Sequence, residues 1–245
     1  MKIIADTHTH TLASGHAYST ILENVHAAKA AGLSFLCLTE HCPEMWDAPK
    51  VSFFSNLHSI PDVVDDVVVL KGAEVNILDY EGGVDLPPGL LKRLDWVIAS
   101  YHGPVCPPGT LKQHTDGWIK IAQNPDVDVI GHCGDGRYLF ELDKVVRAFK
   151  EFGKIVEINA HSFSVRTGAA FNCRQIAECC MKFEVPVVVS SDAHFCLDVG
   201  NVKQAVRLLE EIGFPERLVL NADYDRFLEV ARQKTGRRLI ARDES

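Results

Sequence analysis

The feature that most constrains this chain is an alternation, repeated seven times, of short β-branched runs with longer segments of helical period. Such alternation marks βα units that build a parallel sheet covered by helices. Strands are expected near residues 3–7, 35–39, 67–74, 96–100, 127–131, 155–159 and 187–191. Helices fit 19–31, where Ile21, Val25 and Ala28 recur at helical spacing, and 110–121, 139–152, 173–183 and 202–212. A last helix over 224–234 would have Asp223 as its N-cap and Gly236 as its terminator. Two stretches break the rhythm. Residues 75–86 carry Glu81-Gly82-Gly83 between alternating residues, which suggests a hairpin or loop after the third strand. Residues 43–61 are poorly patterned and are expected to cap a site. Seven repeats in one direction suit an α/β barrel of the TIM-barrel type, closed or nearly closed, better than an open sheet.

Composition sets the class. With 47% hydrophobic and 24% charged residues among 245, the chain can bury one large core, and a single domain over 1–245 is expected. The longest apolar runs, Val67 to Leu70 and Val185 to Val189 with Pro186 inside it, are too short to cross a bilayer. Met1-Lys2-Ile3-Ile4-Ala5-Asp6 reaches an acid at once and lacks the apolar stretch of a signal peptide. The eight cysteines form no CxxC pair, so they are read as reduced thiols in the cytoplasm. A net charge of −8 argues against broad nucleic-acid binding.

The strand ends carry the chemistry. The first expected strand runs into Asp6-Thr7-His8-Thr9-His10, the second into Thr39-Glu40-His41, and the third ends in Glu74. The fourth runs into Tyr101-His102-Gly103, the fifth into Gly131-His132-Cys133, and the seventh into Ser191-Asp192-Ala193-His194. In a parallel barrel all of these ends lie on one face, where loops build sites. Along extended chain the side chains at i and i+2 point the same way, so His8 and His10 can face the mouth together, as can Asp192 and His194. Imidazole with carboxylate suits zinc, manganese or iron better than magnesium or calcium.

Other readings apply residue by residue. Asp6 and Glu40 are either N-caps or acceptors that fix a histidine tautomer. Glu74 follows a hydrophobic run, and a cation is the simplest partner for a carboxylate buried there. His26, His58 and His114 are read as surface or packing residues. His161 is either pocket lining or structural. Cys42, Cys133 and Cys196, beside the candidate ligands, are read as small packing residues.

Taken together, these residues resemble the polymerase-and-histidinol-phosphatase (PHP) family. The likeness rests on Asp6 to His10, Thr39-Glu40-His41, Glu74, His102, His132 and Ser191 to His194, and covers almost the whole chain. It is nearest the stand-alone bacterial branch of YcdX-like phosphatases, with His16-Ala17-Tyr18-Ser19-Thr20 and Glu157-Ile158-Asn159 in support. The resemblance implies a distorted seven-stranded (β/α)7 barrel holding two or three divalent metal ions, zinc first, with manganese or iron as alternatives. It implies a first metal on His8, His10, Glu74 and Asp192. A second would be on Glu74, His102 and His132, and a third on His16, His41 and His194. Glu40 departs from the family's usual Asp, and His161 stands where the branch has smaller polar residues.

The implied activity is hydrolysis of a small phosphate monoester by a hydroxide between two ions, with Glu74, Asp192 and His194 as the catalytic residues. Arg166 either holds a phosphate oxygen or forms a helix-flanking salt bridge, and Asn159 and His161 are further substrate candidates. A small phosphorylated substrate is the expected partner. The alternatives are a histidinol-phosphate phosphatase, a nuclease, and a non-catalytic metal-binding protein.

Overall fold

The structure is a computed structural model and describes residues 1–236. Seven parallel strands follow the chain around the molecule: β1 (Ala5–Thr9), β2 (Phe35–Leu38), β4 (Val67–Asn76), β5 (Trp96–Ser100), β6 (Val129–Ile130), β7 (Ile155–Asn159) and β8 (Val187–Ser190). A two-residue strand, β3 (Val63–Val64), pairs antiparallel with the start of β4. Between strands run α1 (Ile21–Ala30), α2 (Val51–Asn56), α3 (Pro88–Leu91), α4 (Leu111–Gln123), α5 (Leu142–Glu151), α6 (Ser162–Val165), α7 (Ala169–Phe183) and α8 (Lys203–Glu211). The chain then enters α9 (Tyr224–Thr235).

Helix starts follow local chemistry. Thr20 and Thr110 form capping boxes with Glu23 and Gln113, which place the first turns of α1 and α4 just after each threonine. Asp223 caps α9 and Gly236 ends it in the left-handed region (φ +61°), as expected from the sequence. The expected strand over 187–191 ends one residue early. The first strand starts two residues late and runs on to Thr9, so it carries the histidine segment itself. The 75–86 stretch is a small hairpin in which Ile77 pairs antiparallel with Val84.

Period-2 alternation decides what lies inside the barrel. Phe35, Cys37, Val68, Leu70, Trp96, Ile98, Val129, Ile155 and Val188 belong to one buried cluster, and Phe227, Leu228 and Ala231 of α9 pack against them. Continuing along the same faces towards the strand ends, the series becomes polar: Gly72 then Glu74 on β4, Ser100 on β5, Glu157 and Asn159 on β7, Ser190 on β8. The barrel is thus dry at one end and ligand-rich at the other. Gly72 and Gly131 make room at this change: a Cβ would lie 2.3 Å from the Trp96 carbonyl in one case and 2.1 Å from Ser100 Oγ in the other.

The barrel is nearly closed, and the seam between β1 and β8 is finished by a side chain. Thr9 bridges to Ala193 in parallel, and His10 N–H donates to the Ala193 carbonyl at 2.9 Å. Lower down, the Asn221 amide stands in for strand pairing. Its Nδ2 donates to the Ala5 and Val189 carbonyls at 2.9 and 2.7 Å, and its Oδ1 accepts from Val189 N–H at 3.1 Å. No sequence pattern marks this residue.

Candidate metal centre

All nine sequence-predicted ligands converge at the polar end of the barrel, on loops and strand ends from β1, β2, β4, β5, β6 and β8. Seven of them are buried (His8, His10, His41, Glu74, His102, His132, Asp192), while His16 and His194 are half-buried at the mouth. His8 and His10, two residues apart on the extended β1 segment, are both fully buried, and the pairing of β1 with β2 shifts register between Asp6 and Thr9. His132 and Asp192 hold positive φ, +24° and +54°, a backbone state that costs free energy outside glycine and recurs at functional sites.

Hydrogen bonds fix the ring orientations. His16 Nδ1 donates to Asp47 Oδ2 at 2.7 Å, His102 Nδ1 to Asn76 Oδ1 at 2.7 Å, and His194 Nδ1 to the Asp192 carbonyl at 2.9 Å. His8 Nδ1 donates to Glu157 Oε1 at 2.7 Å. Each of these rings therefore presents Nε2 to the centre, the arrangement that orients a metal-ligating histidine. Glu157 also accepts from Ser190 Oγ at 2.5 Å and from His132 N–H at 2.6 Å. Asp6 and Glu40 do not touch an imidazole. Asp6 accepts from Ser191 N–H and Oγ and from Gly200 N–H, while Glu40 accepts from Thr11 and Ser14, so both fasten loops around the site. Sequence reasoning missed Asp47 and the orienting role of Glu157; the signal available was only a carboxylate in an irregular loop and another on an inward-facing strand position.

The distances fit cations. His8 Nε2 and His10 Nε2 are 3.1 Å apart; Glu74 Oε2 is 3.5 and 3.7 Å from them, and Asp192 Oδ1 is 3.5 and 3.3 Å. A tetrahedral shell with bonds of ~2.1 Å spaces its ligand atoms about 3.4 Å apart. Across the carboxylate, Glu74 Oε1 lies 2.9 Å from His132 Nε2 and 3.3 Å from His102 Nε2. Glu74 thus offers one oxygen to each group. His16 Nε2 is 3.2 Å from His41 Nε2 and 3.1 Å from His194 Nε2. His41 Nδ1, in turn, lies 2.7 Å from Glu74 Oε2.

Two features test whether metal ions suit these residues. His16 and His194 both spend their Nδ1 proton on an acceptor-only oxygen, so in the neutral state two Nε2 lone pairs face each other at 3.1 Å. In addition, His102, whose Nδ1 proton goes to Asn76, turns a buried Nε2 lone pair towards the Glu74 carboxylate, 3.3 Å from its Oε1. Orphaned acceptors facing one another are relieved by a cation between them. The residues fit.

Electrostatics agree. Burial alone would raise Glu74 and Asp192, but His102, His8 and His41 around Glu74, and His8, His10 and Arg166 around Asp192, hold both well below the usual carboxylate range. Burial pushes His10 well down, His102 down to about 4 and His194 down, which keeps these rings neutral as ligands must be. His8 moves up: against burial, the charges of Glu157, Asp192 and Glu74 favour its imidazolium. Burial likewise lifts the Cys42 and Cys133 thiols well up, so they stay protonated and pack in the core, as expected.

Over the cluster opens a cavity of about 390 Å³ lined by His16, His41, His102, Asp192 and His194, with Met45, His161, Val165 and Arg166 at its walls. Arg166 donates to Ser162 Oγ at 2.8 Å and lies 3.4 Å from Asp192 Oδ2, so its guanidinium serves Asp192 as well as the cavity. Asn159 is fully buried beneath the cavity. Its Nδ2 donates to Asp192 Oδ2 at 3.0 Å and its Oδ1 accepts from Ser162, which makes it a support for Asp192 and places it outside the lining. His161 is in the wall, its ring 6.0 Å from that of His194. The 43–61 stretch sends Met45 to the cavity and Asp47 to His16, while its helix α2 packs elsewhere through Phe54. His114 is structural, donating to the Leu139 carbonyl and accepting from Gly109 N–H.

Comparison with known proteins agrees with this geometry. The chain is 45% identical over 237 residues to a probable phosphatase of Acetivibrio thermocellus, covering 97% of this chain and 98% of that one. It is 45% identical over 239 residues to a probable phosphatase of Caldanaerobacter subterraneus subsp. tengcongensis, covering 97% and 94%. The fold is shared with the crystal structure of a Lactococcus lactis histidinol phosphate phosphatase complexed with zinc, L-histidinol and phosphate. That match has a TM-score of 0.58 at 16% identity and covers 86% of this chain and 94% of that one. The PHP domain matches residues 6–161, and the PHP-associated region matches 171–215, which contains Asp192 and His194. A barrel with one histidine-rich end, a carboxylate shared between two ligand groups, and full-length relatives of this kind place the chain in the PHP family.

Proposed function

We propose that this protein is a metal-dependent phosphatase that hydrolyses a small phosphate monoester at a site of two or three divalent ions, zinc first. Phosphatase activity is what its full-length relatives are named for. The observation that carries the metal reading is the convergence of His16, His41 and His194 Nε2 atoms, and of His8 and His10 on Glu74, at spacings of a tetrahedral shell. In this reading His8, His10, Glu74 and Asp192 hold one ion, Glu74, His102 and His132 a second, and His16, His41 and His194 a third. Bound there, divalent ions would supply Lewis acidity and bring the pKa of water towards neutrality.

The chain's own residues do the rest. Glu74 and Asp192 are kept ionised against their burial by the neighbouring imidazoles and, for Asp192, Arg166, and they supply the negative charge that fixes cations. Asn159 and Arg166 hold Asp192 Oδ2 while Oδ1 faces His8 and His10. Arg166 also lines the cavity, where a guanidinium pairs with a phosphoryl oxygen. The open cavity admits a small ester to the cluster, which a closed structural site would not. No helix among the described residues is long and apolar enough to cross a membrane. The eight cysteines are free thiols, which supports a reducing, cytoplasmic setting.

The test is turnover of p-nitrophenyl phosphate by protein reconstituted with zinc, manganese or iron in turn, against chelator-stripped protein. Asp192→Ala should abolish turnover and lower metal content; normal activity in that variant refutes the scheme. Histidinol phosphate belongs in the same panel as the competing substrate.

A further inference from the structure

A second cavity, of about 270 Å³, lies behind His161, which also forms part of the wall of the first. It is lined by Ala160, His161, Ser164, Ser191, Asp198, Asn201 and Gln204, from the β7–α7 connection, the loop after β8 and the start of α8. Ser191 is the neighbour of Asp192, so this cavity adjoins the candidate metal centre along the chain as well as through His161. Among the described residues, the side chains of Ser164, Asp198, Asn201 and Gln204 make no hydrogen bond or ion pair with the protein. All four are exposed, so their hydrogen-bonding capacity is open to a ligand that enters the cavity.

We infer that this cavity is a subsite for the organic half of the substrate, and that this half is rich in hydroxyl groups, as in a sugar or polyol phosphate. The inference rests on the phosphatase reading and deepens it. Two side-chain amides, a hydroxyl, an imidazole and a carboxylate offer both donors and acceptors, the mixture that hydroxyl groups satisfy because each hydroxyl both donates and accepts. A water occupies about 30 Å³ of liquid, so the cavity holds roughly nine water equivalents, room for a carbon chain of about five or six hydroxylated carbons. The lining has one carboxylate, Asp198, which is exposed, and it has no Trp, Tyr or Phe, so it does not form an aromatic cage for an ammonium group. With the phosphoryl group under Arg166 in the first cavity, the ester's organic half passes His161 to reach the second.

The experiment compares kcat/KM of the metal-reconstituted enzyme for a hexose monophosphate, an unsubstituted alkyl phosphate of equal chain length, a phosphorylated amino alcohol and p-nitrophenyl phosphate. Asn201→Ala and Gln204→Ala, both at exposed positions, are measured alongside the wild type. The hexose phosphate should be preferred over the alkyl phosphate by at least tenfold. Each variant should lower the ratio of hexose phosphate to p-nitrophenyl phosphate turnover at least fivefold, mainly through KM. Equal use of hexose and alkyl phosphates, a preference for the amino alcohol, or unchanged ratios in both variants would overturn the subsite while leaving the phosphatase reading standing. Failure of the wild type to hydrolyse any ester, p-nitrophenyl phosphate included, would overturn both.

Discussion

Glu157→Gln tests how this centre is held. Three donors converge on the two Glu157 oxygens: His8 Nδ1–H and Ser190 O–H on Oε1, and His132 N–H on Oε2. Burial would raise this carboxyl, but His8, by charge and hydrogen bond, and His132 by charge leave it below its ordinary value, so it is ionised at neutral pH. A glutamine is nearly isosteric but has one oxygen and one NH₂. With its oxygen towards His8, the NH₂ faces the His132 N–H across 2.6 Å, donor against donor, at a residue already held at φ +24°. With the amide reversed, the NH₂ faces His8 Nδ1 and drives the ring proton to Nε2, the atom directed at His10, Glu74 and Asp192. Either way one charge-assisted bond worth about 1.5–3 kcal/mol is lost, and changes at such supporting residues typically cost 10–100-fold in metal affinity. We expect zinc affinity, measured by competition with a chromophoric chelator, to fall by about that factor, with folding verified by circular dichroism. Affinity within twofold of the wild type in a folded Glu157→Gln variant would refute the claim that Glu157 sets the His8 tautomer.

Other outcomes follow from the same contacts. Asn221→Leu, which keeps the volume but strips Val189 N–H and two buried carbonyls of their partners, should destabilise the protein by about 3 kcal/mol or more in urea unfolding; a change under 1 kcal/mol would show that the seam between β1 and β8 closes without it. Stripping metal should lower Tm, since an ion at ~1,000 times its Kd stabilises the folded state by about 4 kcal/mol, and re-adding zinc should restore it; a Tm indifferent to chelator would count against the centre. In metal-free protein, His102 is held at about 4 against an ordinary 6.5, so the unfolded chain takes up a proton between those values that the folded chain refuses. Its contribution to stability therefore falls as pH drops through that window, by on the order of 3 kcal/mol. Metal-free His102→Gln should lose less stability between pH 7 and pH 5 than metal-free wild type, and equal losses would contradict the assignment.

Much of this was legible in one dimension because βα repetition makes chain order and spatial order coincide. When each strand is followed by its crossover helix, every strand's C-terminal end must fall on the same face, so histidines and acids at those ends meet whatever the details of packing. That is why the residues of the candidate centre, from His8 and His10 through Glu74 and His132 to Asp192 and His194, can be named from spacing and resemblance together. Trp96–Ser100 and Ile155–Asn159 coincide with their expected strands because their alternating β-branched faces are buried on both sides. Strand β6, expected over five residues, pairs over Val129–Ile130 alone, because the chain turns into the positive-φ His132 directly after Gly131.

What the sequence determined by itself, then, was a repeating α/β architecture with metal-competent side chains gathered at one end, since both depend on local period and chain order. Tertiary structure decided which atoms of those side chains face one another and what holds them there. Glu157 and Asp47 orient His8 and His16 across 149 and 31 residues of sequence, Asn159 supports Asp192 beneath the cavity, and Asn221 completes the barrel seam. Such contacts have no periodic signature: a hydrogen bond between distant segments depends on register and on a single rotamer, and only the folded chain selects them.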